Sequence, residues 1–155
     1  MKKISYGFIA LMALISIAQF AIGASNESPN IQAARSLFEQ YISLGKAFDP
    51  AAADLYADEA RIQNSRTYPD GTKRTLTMPA AQYKDLIRKT MSLAKARGDT
   101  NEYSEITYSA EGSNVRIMSI RHSNLKNYDS PLSLLVGKAK DGAWKILEEI
   151  SESKP

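Results

Sequence analysis

The spacing of apolar positions changes character several times along the chain. Between Ile31 and Leu44 they fall at Ile31, Ala34, Leu37, Phe38, Tyr41, Ile42 and Leu44, the three-and-four spacing of one helix face. This predicts an amphipathic helix, ended by Gly45 and Lys46. Asp49-Pro50 then supplies a capping side chain and a first-turn proline for a shorter helix through Tyr56. Residues 61–67 and 72–77 are mostly polar and flank Tyr68-Pro69-Asp70-Gly71, which predicts a polar hairpin. A longer helix follows from Pro79 to Arg97, with Tyr83, Leu86, Ile87, Met91 and Ala94 on one face and Gly98 as its stop.

The remainder is strand-like: residues 102–110, 115–123, 132–140 and 143–151. The connections are 111–114, 124–131 and the two-residue hairpin signal Asp141-Gly142. The four strands predict an antiparallel meander, packed partly through Ile106, Leu135, Trp144 and Ile146. With the helices segregated to one face of a mainly antiparallel sheet, the fold class is α+β.

The first 24 residues obey a different pattern. Met1-Lys2-Lys3 precedes a nearly unbroken apolar run from Ile4 to Ile22, which breaks at Gly23-Ala24-Ser25. These are the three parts of a secretory signal peptide, with cleavage after Gly23 or after Ala24. An uncleaved anchor is the alternative, and Ser16 and Gln19 inside the run argue against it. The organisation expected is therefore a signal peptide over 1–24, a short linker over 25–30 and one domain over 31–155. The destination expected is the periplasm, with secretion as the other outcome.

That reading changes the charge. The chain has 155 residues with 20 Lys+Arg against 17 Asp+Glu, and losing Lys2 and Lys3 leaves a nearly neutral domain. With no cysteine, disulfides, thiol nucleophiles and a lipoprotein anchor are excluded. A single histidine without cysteine makes a transition-metal site improbable, and no cofactor is implied.

Leu55-Tyr56-Ala57-Asp58-Glu59-Ala60-Arg61-Ile62, preceded by two helices, resembles the approach to the first strand in the nuclear transport factor 2-like superfamily, which includes SnoaL-like cyclases and ketosteroid isomerases. Asp141-Gly142-Ala143-Trp144-Lys145-Ile146-Leu147 resembles its usual last strand. The resemblance covers residues 31–151 and implies a curved sheet wrapped on helices, cone-shaped with a pocket. Function does not follow from the frame. In the ketosteroid-isomerase branch the general base is a carboxylate in the first strand, and Asn64 falls at that position here. An amide cannot take the proton. The branch's oxyanion-binding tyrosine falls on Tyr41, which helical spacing equally assigns to the core. Tyr41, Tyr56, Asn64 and Met118 are the expected pocket residues.

His122 is the other candidate, as a general base. Alternation sets it with Met118 and Ile120, and sets Arg121 with Ile117 and Ser119; both faces contain apolar residues, so alternation does not say which meets the pocket. The adjacent Asp58 and Glu59 point to opposite faces and are poorly placed to share a site.

Charge is segregated along the chain. Residues 61–97 hold nine bases against two acids, between two acidic flanks. Arg61, Arg66, Lys73 and Arg74 of the hairpin and Lys84, Arg88 and Lys95 of the helix form an expected basic surface, suited to an acidic envelope partner or an anionic ligand, or merely solvated. Nucleic acid is disfavoured, because no interleaved aromatic platform appears. The expectation is a non-catalytic module that binds a small apolar or anionic molecule, or that pairs with a partner or with itself through its sheet. The alternative is a small lyase or isomerase acting on an apolar carbonyl compound, with Tyr41 as donor and His122 as base.

Overall fold

The computed structural model describes residues 27–154; the expected signal peptide lies outside the described residues. Helix α1 spans Pro29–Ala47 and a 3-10 segment spans Pro50–Leu55. Strands β1 (Tyr56–Thr67) and β2 (Lys73–Pro79) form the hairpin, and α2 (Ala80–Arg97) follows it. Strands β3 (Asn101–Glu111), β4 (Asn114–Ser123), β5 (Tyr128–Lys138) and β6 (Trp144–Ser153) complete the chain. All six strands form one sheet in the order β2-β1-β6-β5-β4-β3. The meander is as expected, and the hairpin joins it through β1 running parallel to β6.

Local chemistry accounts for most boundaries. The Ser28 hydroxyl accepts from the Ile31 amide at 3.3 Å, so α1 starts inside the stretch expected to be linker. Gly45 does not stop it. The helix runs on to Ala47, and Phe48 ends it in the left-handed region at φ 55°, a strained position for an aromatic residue. Gly98 caps α2 at φ 62° as expected. The last hairpin is one residue longer than Asp141-Gly142 alone implies, closed by the Ala139 amide on the Ala143 carbonyl at 2.8 Å.

Three register shifts bend the sheet: between Tyr56 and Arg61, between Ser104 and Thr107, and between Leu135 and Val136. Curvature lets both helices sit on one concave face. Helix α1 packs across β3 to β6, and α2 against the 3-10 segment and β1. Ala34, Leu37 and Phe38 meet Ile62, Ile117, Leu132, Leu134, Val136 and Ile146 in the core.

The segregated charges pair with one another. Arg88 reaches Asp54 at 2.7 Å, Lys84 reaches Asp58 at 2.7 Å and Lys73 reaches Glu152 at 2.5 Å. Arg61 donates to Glu148, which also accepts from Arg116 at 2.7 Å. Four of the nine bases in the segment thus pair with acids of its flanks, while Arg66, Arg74, Lys95 and Arg97 make no ion pair among the described residues. Among these, Arg66 and Arg74 each stand 5.5 Å from the Tyr68 ring.

Burial alone raises the Glu148 carboxyl, but Arg116 and Arg61 outweigh it and hold the group below its ordinary value of 4.5. A carboxylate depressed on folding contributes stability above its unfolded value and loses it as pH falls through the folded one. The Glu148→Gln variant is therefore expected to show a flatter loss of stability than the wild type between about pH 5 and pH 3, read from urea midpoints across that range.

Candidate functional site

Strand alternation decides which groups enter the cone. Ile117 is 1% exposed beneath the helices, so Ser119 and Arg121 share its inner face while Arg116, Met118, Ile120 and His122 face outward. The centre of the inner face is Glu149 of β6, 1% exposed. Its carboxylate accepts the Tyr56 hydroxyl and, at 3.1 Å, the Tyr83 hydroxyl. Tyr56 stands at the start of β1 and Tyr83 one turn into α2, and their rings meet edge-on at 5.2 Å. A second aromatic group lies alongside: Tyr41 of α1 stacks on Phe38 at 5.8 Å, and Tyr103 of β3 meets both rings edge-on at 5.6 and 5.9 Å.

These tyrosines border an open cavity of about 370 Å³ together with Arg121, with Leu86, Ile87 and Met91 of α2, and with Phe48, whose left-handed backbone turns it there. Burial pushes the phenols of Tyr41, Tyr56 and Tyr83 well above the ordinary value of 10, and the neighbouring Glu149 charge adds to this. They are neutral donors. Burial opposes the Arg121 charge, but Tyr41, Tyr103 and Glu149 outweigh it and raise the guanidinium further. Glu149 itself does not line the cavity, because Tyr56 and Tyr83 stand in front of it.

Of the expected pocket residues, Tyr41 and Tyr56 border the cavity. Asn64 does not: it donates to Ser151 Oγ and accepts from Ser153 Oγ, both at 3.0 Å, and ties β1 to β6. Met118 is 52% exposed on the outer face, in a shallow groove with Ile120, Pro131 and Ile150. His122 is also outside, where its Nδ1 meets Asp129 Oδ1 at 2.8 Å. The pairing of His122 with Tyr41 in one site is therefore corrected, since the sheet lies between them. Asp58 and Glu59 go to separate partners, Lys84 and Lys140. A larger surface cleft of about 500 Å³ borders these residues, and Asp58 with Lys84 and Glu59 with Lys140 pair across it. Among the described residues no three His, Asp or Glu side chains are placed to hold a metal ion.

Sequence reasoning missed Tyr83, Tyr103, Arg121 and Glu149 as site residues. For Arg121 the grouping by alternation was available but not its direction. For Glu149 alternation misleads: Ile146 is fully buried, which by period two points Glu148 inward, and the shift between Leu135 and Val136 reverses the faces.

No protein-family profile and no curated protein matches this sequence. Solved structures do resemble it. An NTF2-like protein of unknown function from Pseudomonas putida KT2440 superposes with a TM-score of 0.61 at 12% identity, covering 79% of this chain and 85% of that one. A candidate ketosteroid isomerase from Shewanella frigidimarina NCIMB 400 gives 0.53 at 21% identity, over 77% and 94% of the two chains. A candidate dehydratase of the NTF2-like family from Streptomyces avermitilis gives 0.52 at 9% identity, over 79% and 94%. At such identities the likeness establishes the fold: the chain has the nuclear transport factor 2-like architecture, as its sequence resemblance implied.

Removing one phenol from Glu149 leaves a buried carboxylate one hydrogen bond short. Tyr56→Phe is expected to lower stability by about 1–3 kcal/mol. Tyr68→Phe, at the hairpin tip, is expected to stay within about 0.5 kcal/mol; denaturant titration compares the two.

Proposed function

We propose that the chain is an exported module that binds a small molecule in its cone and does not transform it. The observation carrying this reading is the division of labour around the cavity. The buried Glu149 carboxylate does not line the cavity and accepts from two phenols, one on each oxygen, while Tyr41, Tyr103 and Arg121 border the cavity. A proton-transfer enzyme needs the converse, a base within reach of bound substrate.

The other bases support the same reading. Asn64 occupies the position where the resemblance implies a catalytic carboxylate, and His122 lies across the sheet. Asp99 borders the cavity on the connection that follows the Gly98 cap, so it is the carboxylate to be challenged by mutation. The periplasm as the place of action rests on the apolar leader Met1–Ala24. Two of the structurally similar proteins are named for isomerase and dehydratase activities, which makes the isomerase reaction the appropriate challenge.

The test is a β,γ-unsaturated steroid ketone, 5-androstene-3,17-dione, incubated with the mature protein while absorbance of the conjugated product is followed. The expected rate equals that of buffer. A rate above buffer that disappears in Asp99→Asn or Glu149→Gln overturns the proposal in favour of the isomerase alternative.

A further inference from the structure

We infer that the molecule taken by the cone is an apolar monocarboxylate, its head held by Arg121 and its body against α2. This deepens the binding role proposed above and rests on it.

The inference begins with an unbalanced charge. Arg121 is half-buried and makes no ion pair with any carboxylate of the described residues. Its Nη2 donates to the Glu152 carbonyl at 2.7 Å and, more weakly, to Ser130 Oγ at 3.4 Å. These two contacts fix the plane of the guanidinium. They leave Nε and Nη1 without a partner among the described residues, while the Tyr41 and Tyr103 hydroxyls interact with each other. Yet none of these atoms is sealed: among the described residues the only sealed side-chain polar atom without a partner is Ser119 Oγ. Arg121, Tyr41 and Tyr103 line the cavity together, and the two free guanidinium nitrogens are the groups Arg121 has left to offer there.

The chemistry of those donors selects the ligand head. A guanidinium presents a rigid fork that matches a carboxylate in bidentate fashion, and charge-assisted bonds are the strong ones. The Tyr41–Tyr103 pair, one hydroxyl bonded to the other, adds one neutral donor on the same cavity. Glu149 does not compete for Arg121 by direct contact, since its oxygens take the Tyr56 and Tyr83 hydroxyls. Asp99 on the border opposes a second negative charge, so a monoanion fits better than a dianion. The α2 wall is Leu86, Ile87, Met91 and Ala94 with Thr90, whose hydroxyl donates to the Leu86 carbonyl at 2.8 Å, so it is mainly apolar toward a ligand body. A cavity of about 370 Å³ suits a small molecule of about two rings.

The probe pair is 2-naphthoate and 2-naphthamide, which share a shape and differ in charge, titrated by calorimetry. The wild type is expected to prefer the naphthoate by about tenfold or more. In Arg121→Gln the preference should fall to near unity, with naphthamide affinity kept, which also reports an intact pocket. Arg121→Lys, which keeps the charge without the fork, should retain part of it. Equal affinities in the wild type, or a preference that survives Arg121→Gln, overturn the carboxylate assignment and leave the binding role standing. Failure of both compounds to bind the folded wild type overturns the binding role as well.

Discussion

A carboxylate taken out of water must find its hydrogen bonds where it lies, and Glu149 finds them in phenols from two other elements. That requirement organises the inner end of the cone. It binds β6 to the start of β1 and to the first turns of α2, elements brought together only by the complete fold. Removing a carboxylate from its donors, or donors from it, strands a buried polar group, which is the expensive case. The same arrangement takes Tyr56, Tyr83 and Glu149 out of the chemistry of the cavity. The cavity keeps Tyr41, Tyr103 and the charge of Arg121, with Asp99 on its border.

Charge elsewhere follows a complementary logic. The basic stretch between two acidic ones suggests a docking surface when the sequence is taken alone. In the folded chain four of its nine bases turn to those flanks, with Asp54, Asp58, Glu148 and Glu152 meeting Arg88, Lys84, Arg61 and Lys73. Exposed pairs of this kind contribute little each, but they consume charges that otherwise seek partners. Arg121 escapes that neutralisation, and it does so inside the cone.

Local rules carried much of the frame. Helical spacing placed both helices, and the turn signals at 68–71 and 141–142 placed two hairpins, because each depends on residues close in sequence. The parallel pairing of β1 with β6 was not legible, since nothing local ties residue 62 to residue 149. The site suffered most from the same limit. Period-two reasoning sorted Arg121 from His122 correctly, but Met118 and Ile120 are as apolar as Ile117, so only the packed helices reveal which face is inner. At β6 a register shift makes the period point the wrong way for Glu149. Asn64 was noticed through the resemblance, and the absence of a carboxylate there agrees with its role as a tie between strands.

Glu149 is buried among the walls of the cone, and half-buried Arg121 is the group we propose to hold a guest. A crystal structure of the mature protein soaked with 2-naphthoate tests that account most directly. The expected complex has the carboxylate on the Arg121 guanidinium within reach of the Tyr41 and Tyr103 hydroxyls, with the rings against Leu86, Ile87 and Met91. A naphthoate found inverted in the cone, with its carboxylate at α2, or bound only in the outer groove beside Met118, contradicts it.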